Sequence, residues 1–308
     1  MAGDQHWYSK VLGLHCDGTN GSTTFTDVKS KTVSVFGNAQ ISTAQYPSLT
    51  GKTSAAYFDG SGDCLTLNNS SDFDFGSGDF TVSLFVRLSS MSGAQYIIHR
   101  GTATNYTAWA ISASGGQFST NGSVTGSSYA WTFSSTNTFS NNTWYHVMLV
   151  RSGTNIYLFV NGALEGSATS VSGSLMTNAT TVKIGRDNAG VYQVAGYLSE
   201  IEIYKGTAIK TSEFSPPSIP FYDEYVSVSG TTKDSSGAFA SRLVRVYRQD
   251  TGAFAGEQLS NATTGAWKIT AANTGSTVTK HFAVMHDDDA NPPTTTENAL
   301  IYDDITPV

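Results

Sequence analysis

The chain has 308 residues, which is enough for two domains with ordinary cores, and its formal net charge is −7. Aromatic residues make up 12% of it and charged residues only 13%, and so many aromatic residues exclude a disordered chain. The absence of any Lys/Arg cluster argues against nucleic-acid binding, and no apolar run approaches the roughly 20 residues of a membrane-spanning helix.

The N-terminal segment, Met1–Trp7, lacks the charged and then apolar layout of a signal peptide. We therefore expect the protein to be made and folded in a cytoplasm. Any route to the outside is then one that needs no signal peptide, such as the release of a virus particle by lysis.

Apolar and polar residues alternate along residues 80–88. Phe80, Val82 and Leu84 fall on one face, and Thr81 and Ser83 fall on the other. This period of two predicts a half-buried strand of an antiparallel sheet.

Further strands are predicted at 144–150 and 156–160, with the polar turn 151–155 between them. Asn161-Gly162 then predicts a hairpin, because these residues accept the positive φ angles of a type I′ turn. No segment has a sustained helical period, and many short strands at regular spacing predict a β-sandwich.

Three prolines, Pro216, Pro217 and Pro220, follow the strand pattern that ends near residue 205. Proline donates no backbone N–H and cannot continue a sheet, so a domain is predicted to end here. New strand patterns start near residue 226 and recur up to residue 285. We predict a first domain over 1–221, including a short N-terminal arm, and a small β-sandwich over 222–308.

The two cysteines, Cys16 and Cys64, both fall in predicted strands. They are either two buried thiols that act as small apolar side chains or a disulfide between neighbouring strands. Two cysteines without a histidine at ligand spacing do not form a zinc site.

Several motifs of the first domain carry a family resemblance: Leu14-His15-Cys16-Asp17-Gly18, Ala56-Tyr57-Phe58-Asp59-Gly60, Phe73-Asp74-Phe75-Gly76, Trp144-Tyr145-His146-Val147, Val160-Asn161-Gly162 and Tyr204-Lys205-Gly206-Thr207-Ala208, with Phe214-Ser215-Pro216-Pro217 at its end. With them, residues 8–221 resemble the laminin-G-like, concanavalin A-like jelly rolls that are common in bacteriophage virion proteins. Cys16 and Cys64 stand where that family more often has an aromatic residue, so any disulfide would be particular to this chain.

The second domain resembles the small sandwiches at the C-termini of phage tail and other virion proteins, through residues 242–248, 250–252, 264–267 and 298–308. Together the two resemblances imply an all-β chain, a jelly-roll sandwich followed by a smaller β-sandwich, in a phage structural protein.

The jelly-roll resemblance also implies a structural calcium at the rim of the sandwich, held by aspartates and loop carbonyls. The candidate ligands lie in predicted loops or at strand ends: Asp17, Asp59, Asp63 and Asp79. The alternative is that these aspartates cap turns by accepting hydrogen bonds from the local backbone.

Glycoside hydrolases occur on the same fold and need acidic residues at alternating positions of one strand. Glu200-Ile201-Glu202 supplies two carboxylates on one face, but Tyr204 occupies the next position on that face. The third acid is missing, so the sequence predicts a solvent-facing strand edge and no enzyme.

Aromatic residues in Gly/Ser-rich segments are candidates for stacking on sugars, because loops carry recognition while a sandwich stays rigid. They are Tyr106, Trp109, Tyr129, Trp131 and Tyr192. The alternative is that each of these rings packs into the core.

The sequence therefore predicts a non-enzymatic virion protein, either tail-associated or capsid-decorating, whose jelly roll contacts a host-surface or environmental glycan. The second domain is expected to hold it to other virion proteins or to sister copies in a homo-oligomer. The alternative is a free carbohydrate-binding or adhesion module, and a glycosidase on the same fold is the third reading.

Overall fold

A computed structural model describes residues 6–101, 107–177 and 180–221. Beyond these it describes residues 224–231, 238, 243–248, 254–259, 261–264, 266–273, 281–286 and 302–305. The chain divides into two compact units, one of Tyr8–Pro220 and one of Met1–Trp7 with Phe221–Val308. Fifteen strands of the larger unit form two antiparallel sheets, which confirms the prediction of an all-β jelly-roll sandwich.

The strands of the larger unit are, in chain order, β1 (Lys10–Leu14), β2 (Val33–Phe36), β3 (Gln40–Ser42), β4 (Ala55–Asp59), β5 (Cys64–Leu67), β6 (Phe80–Leu88), β7 (Gln95–Arg100), β8 (Trp109–Ser114), β9 (Gln117–Gly122), β10 (Trp131–Ser134), β11 (Tyr145–Ser152), β12 (Asn155–Val160), β13 (Ala163–Ala168), β14 (Val182–Ile184) and β15 (Ala195–Lys205). The first sheet has the order β13-β12-β11-β6-β15-β4-β3, with β1 also paired to β15, and the second sheet has the order β10-β9-β8-β7-β14-β5-β2. Two short 3₁₀ turns, Trp7–Ser9 and Ser71–Phe73, accompany them.

The core lies between the two sheets. Val82 and Leu84 of β6 join Ile98 of β7 and Ile111 of β8 in one cluster of fully buried side chains. The alternation read from residues 80–88 thus sets the inward face of β6, and the strand has the predicted bounds.

The outward face of β6 is also buried, so the prediction of a half-buried strand is wrong. The segment that follows β15 folds back across it: the Thr81 hydroxyl donates to the carbonyl of Thr207 at 2.9 Å, and Phe214 packs on Met148 and Phe159. The proline-rich exit therefore covers the first sheet before it leaves the unit.

The hairpin between β12 and β13 has the predicted turn. Asn161 and Gly162 both have positive φ, 48° and 79°, as a type I′ turn requires. Gly162 also lets the exit segment come close, because a Cβ there would lie 1.7 Å from the carbonyl oxygen of Phe214.

Cys16 and Cys64 are both buried free thiols, so the disulfide alternative is not realised. Burial raises the pKa of the Cys16 thiol to about 12, despite the nearby Lys52 ammonium. This thiol is therefore protonated and unreactive near neutral pH.

The described part of the smaller unit contains a pair of strands, β16 (Glu224–Thr231) with β19 (Ala266–Asn273). A second sheet of four strands has the order β18-β17-β20-β21, made of β17 (Leu243–Arg248), β18 (Phe254–Leu259), β20 (His281–His286) and β21 (Tyr302–Ile305). That these strands form a small sandwich stays a prediction. Among the described residues of the whole chain, no helix has the length and apolar character needed to cross a membrane.

Candidate functional site

Three of the four aspartates proposed as calcium ligands accept hydrogen bonds from nearby backbone. Asp63 accepts from the N–H groups of Asn38 and Asp59, at 2.7 and 2.8 Å. Asp59 accepts from the N–H of Ser61 at 2.7 Å, and Asp79 accepts from the N–H of Gly153 at 2.7 Å. The contacts of Asp63 with Asp59 and of Asp59 with Ser61 are local, as in the turn-capping alternative, whereas Asp79 bonds a turn 74 residues further along the chain.

The fourth aspartate, Asp17, belongs to the one group of metal-ligand type found among the described residues, with His15 and Glu200. The ammonium of Lys52 lies inside this group. It is 2.7 Å from Asp17 Oδ1 and 2.6 Å from Glu200 Oε1, and it also donates to the carbonyl of His15. A side-chain cation therefore lies between the two carboxylates of this group.

Lys52 is fully buried, and burial alone lowers the pKa of an ammonium. The carboxylates of Glu200 and Asp17 outweigh that effect, and the pKa of Lys52 lies above its ordinary value. Glu200 itself has a positive φ of 49°, at the point where the register between β15 and β6 shifts. The positive φ is a strained backbone conformation for a glutamate. The buried ion pair of Glu200 with Lys52 joins β15 to the loop that carries Lys52.

Glu202 pairs with a different lysine, Lys10, at 2.9 Å, and accepts a hydrogen bond from Tyr204. The sequence predicts that Glu200 and Glu202 share a face, but the register shift interrupts the alternation between them. Each carboxylate therefore has its own cationic partner.

Three tyrosines meet on the outward face of the second sheet, and with two polar side chains they form what we call the tyrosine cluster: Tyr96, His99, Asn121, Tyr129 and Tyr192. The Tyr96 ring lies 5.8 Å from that of Tyr192, tilted by 43°, and 5.0 Å from that of His99, edge to face. Tyr129 and Tyr192 are 39% and 44% exposed, so both offer ring surface to solvent.

The surroundings of the Tyr96 hydroxyl favour its protonated form. Burial raises the pKa of Tyr96, the neighbouring Tyr129, Asp187 and Tyr192 add to this rise, and a hydrogen bond from the Asn121 side chain opposes it.

Two loops carry the exposed rings of the cluster. The segment after β14 runs beside β7, where the N–H of Tyr96 donates to the carbonyl of Tyr192 at 3.0 Å. Asp187 holds this segment by accepting from the N–H groups of Val191 and Tyr192. The loop before β10, which carries Tyr129, is braced by Ser123, whose hydroxyl donates to the carbonyl of Ser128 at 2.6 Å.

His99 and Asn121 lie beneath the rings with one unpartnered polar atom each. They stand in one row across β7, β8 and β9, separated by the small Ala110. His99 is 4% and Asn121 8% exposed, and His99 Nδ1 and Asn121 Oδ1 have no hydrogen-bond partner within the described structure. Desolvation lowers the pKa of His99 to about 4, with Asp187 opposing the shift, so the ring is neutral at pH 7.

The aromatic residues predicted from the sequence divide into two sets. Trp109 stacks on Phe75 and donates to the carbonyl of Phe73 at 3.3 Å, and Trp131 donates to the Thr120 hydroxyl at 3.1 Å. Trp109 is 1% and Trp131 3% exposed, so the core-packing alternative holds for these two rings. Tyr129 and Tyr192 are exposed, and Tyr106 lies outside the described residues.

Sequence reasoning missed Tyr96, His99 and Asn121. In the segment Gln95–Arg100 the two apolar residues Ile97 and Ile98 are adjacent, so its residues do not alternate, and the register shift between Tyr96 and Ile98 cannot be read from the residue pattern. A signal did exist for Asn121, because the alternation of β9 places it on the polar face with Ser119.

Comparisons with known proteins identify the fold. Residues 59–213 match the model of the concanavalin A-like lectin/glucanases superfamily. The binding domain of Paraclostridial Mosquitocidal Protein 1 superposes with a TM-score of 0.53 at 13% identity, over 98% of this chain and 75% of that one. The botulinum neurotoxin serotype D ligand binding domain, solved in complex with N-acetylneuraminic acid, gives a TM-score of 0.48 at 13% identity, over 90% and 81% of the two chains.

These structural comparisons show a shared fold alone, because identities this low do not establish a shared ligand or a shared binding residue. The binding domain of botulinum neurotoxin serotype G superposes with a TM-score of 0.49 at 11% identity, over 95% of this chain and 70% of that one. No curated protein matches the sequence.

Proposed function

The chain belongs to the concanavalin A-like lectin/glucanase superfamily, and from this membership we propose that it is a non-enzymatic glycan-binding protein whose tyrosine cluster binds a neutral saccharide. The observation that carries the proposal is the pair of buried, unpartnered atoms, His99 Nδ1 and Asn121 Oδ1, beneath the exposed rings of Tyr129 and Tyr192.

A buried polar atom without a hydrogen bond costs about 1–3 kcal/mol. A ligand that supplies the missing partners recovers this cost, and a sugar does so because its hydroxyl groups both donate and accept. Asn121 Oδ1 accepts from a hydroxyl, and His99 Nδ1 accepts or donates according to its tautomer. The tyrosine rings then cover the apolar face of the same sugar.

The cluster favours an uncharged ligand. Its five side chains are three phenols, an amide and an imidazole that burial keeps neutral. Binding should therefore depend weakly on salt, unlike a contact made by charge attraction. It should also stay constant between about pH 6 and pH 8, because His99 does not titrate in that range.

The test is binding of the full chain to an array of neutral glycans, followed by calorimetry with the best ligand. We expect Tyr192→Ala and Tyr129→Ala each to weaken binding about tenfold. Tyr46→Ala is the matched control, because Tyr46 is 43% exposed and makes no ring contact with the cluster. Binding to no neutral glycan, or equal losses in the Tyr192 and Tyr46 variants, would refute the proposal.

We propose no catalysis, because Glu200 and Glu202 are each held by a separate lysine. Incubation of the full chain with the glycan that binds, followed by mass spectrometry, checks this. Release of shorter saccharides would overturn the proposal of a binding protein without activity.

We further propose that the chain is a virion component of a phage, assembled in the host cytoplasm with other virion proteins and present in several copies. The resemblance of residues 8–221 and of the second domain to virion protein domains supports this, and symmetric particles carry such components as homo-oligomers. Cryo-electron microscopy of purified particles and sedimentation of the recombinant chain test the two parts. A monomer that does not attach to particles lacking it would instead favour the free carbohydrate-binding module.

A further inference from the structure

Four side chains line up across the outward face of the first sheet, and we call them the arginine row: Tyr57, Tyr197, Arg87 and Trp144. Tyr197 of β15 is paired directly with Tyr57 of β4 on one side and with Arg87 of β6 on the other. The pairing of Tyr145 with Val86 extends by one residue to place Trp144 opposite Arg87. The row therefore crosses four neighbouring chain segments, over about 14 Å at the usual strand spacing.

The row faces away from the core. The residues on either side of Tyr57 and Tyr197 along their strands, such as Phe58 and Leu198, are fully buried between the two sheets. Because side chains alternate along a strand, Tyr57, Tyr197 and Arg87 point to the opposite face. All four members of the row are partly exposed.

The rings form a shallow, continuous surface around the guanidinium. Tyr57 and Tyr197 lie 5.0 Å apart with a tilt of 43°, and Tyr197 and Trp144 lie 6.4 Å apart with a tilt of 52°. The Arg87 guanidinium is 5.7 Å from the centre of the Tyr197 ring. Gly196 lets the backbone of β15 come close to that of β6 beside Arg87, since a Cβ there would lie 2.1 Å from the carbonyl oxygen of Arg87.

The row has hydrogen-bond donors without acceptors. Arg87 has neither an ion pair nor a hydrogen bond with any described residue. Its guanidinium contacts the Tyr197 ring instead. Trp144 Nε1 is buried and also has no partner among the residues that the structure describes. By contrast, Arg100 is held by Asp74 at 2.5 Å and Arg151 donates to four backbone carbonyls.

Arginine and the tryptophan N–H are donors only, so a ligand that satisfies both must bring acceptor oxygens, and the guanidinium favours an anionic pair of them. We propose that the arginine row binds a carboxylate-bearing sugar of an acidic glycan. Arg87 pairs with the carboxylate, Trp144 Nε1 donates to the same sugar, and the tyrosine rings stack on the sugars that precede it. Three aromatic rings beside a single cation suit a ring-shaped ligand better than an acidic peptide.

This second site does not rest on the tyrosine cluster, which lies on the other sheet. The two are separable by mutation: Arg87→Gln leaves binding of neutral glycans unchanged, and Tyr192→Ala leaves binding of acidic glycans unchanged. Failure of one proposal therefore does not imply failure of the other.

The experiment measures binding of the full chain to tetragalacturonic acid, oligomannuronate and sialyllactose. Each is compared with its methyl ester, which keeps the sugars and removes the charge. We expect at least one acid to bind, its ester to bind at least tenfold more weakly, and the affinity of the acid to fall with added salt. Poly-glutamate is the probe for an acidic polypeptide.

Variants then assign the binding to the row. Arg87→Gln should weaken binding of the acid at least tenfold, and Trp144→Phe, which keeps a ring and removes the N–H, should weaken it severalfold. Arg186→Gln is the matched control, since Arg186 lies on Phe36 of the other sheet. If Arg87→Gln lowers the melting temperature, Arg87→Lys replaces it and should retain part of the affinity for the acid but not gain affinity for the ester.

Three outcomes would overturn the proposal. They are binding to none of the acids, equal effects of Arg87→Gln and Arg186→Gln, and binding of poly-glutamate as tight as that of the best acidic glycan. The last of these would assign the row to an acidic polypeptide instead.

Discussion

Replacing Lys52 by methionine should destabilise the larger unit more than any other single change of a surface-loop lysine. The ammonium is fully buried between Glu200, which is 4% exposed at its side chain, and Asp17, which is 53% exposed. Methionine keeps most of the volume but leaves the Glu200 carboxylate buried beside His15 without its cation.

The magnitude follows from the burial of the pair. Breaking a buried ion pair by removing one partner costs about 3–5 kcal/mol, because the remaining charge stays in a poorly solvated position. For a unit of this size, each kcal/mol lowers the melting temperature by about 2–4 °C, so the expected decrease is about 6–20 °C. The half-exposed Asp17 contributes little to this figure, and the buried Glu200 contributes most of it.

The assay is denaturant unfolding followed by tryptophan fluorescence, with calorimetry for the melting temperature. Lys31→Met is the matched control: its ammonium is 2.5 Å from Asp72, but the two side chains are 22% and 41% exposed. Screening by water limits such a pair to about 1 kcal/mol or less. Equal destabilisation by the two variants would refute the argument that burial of the Lys52–Glu200 pair sets its strength.

The pH dependence gives a second test of the same pair. The pKa of Lys52 is raised above its ordinary value of 10.5 in the folded protein. Its contribution to stability is therefore fully present below pH 10.5 and is lost as the pH rises through the raised pKa. The difference in unfolding free energy between the native chain and Lys52→Met should shrink at that alkaline end.

Three further predictions concern acid, packing and metal. Desolvation lowers the pKa of His146 to about 4, so stability should fall as the pH drops from 6.5 towards 4, and His146→Gln should reduce this dependence in denaturant unfolding at several pH values. Gly122→Ala should cost about 1–3 kcal/mol, because its Cβ would lie 2.0 Å from the buried Trp131 ring, whereas Gly93→Ala, with nothing within 4 Å, should be neutral in the same assay. Lys52→Ala vacates the cation position among three ligand-type side chains, so added Ca²⁺ should raise the melting temperature of this variant and not that of the native chain; equal responses would contradict this.

The sequence by itself determined the sheet class and the inward face of its strands. The alternation of residues 80–88 is local, and burying Val82 and Leu84 is favourable whatever the neighbours are, so β6 could be predicted with its bounds. The Asn161-Gly162 turn was equally local, because its φ angles depend on those two residues alone.

The sequence did not determine which aromatic residues face solvent. Trp131 and Tyr129 are two residues apart in the same Gly/Ser-rich segment, yet Trp131 is buried and Tyr129 is exposed. The difference arises from Gly122 on the neighbouring strand, whose missing side chain leaves the space that the Trp131 ring fills. A residue pattern contains no information about a void on another strand.

The candidate sites also depend on contacts between distant segments, which only the tertiary structure decides. Lys52 reads as an ordinary polar loop residue until the fold brings Glu200 to its ammonium. The tyrosine cluster and the arginine row likewise combine side chains from three or four segments, and their positions depend on register shifts and close backbone approaches such as that of Gly196. Local alternation specifies the face on which a side chain lies, whereas its neighbours are set by strand order and register, which are properties of the whole sheet.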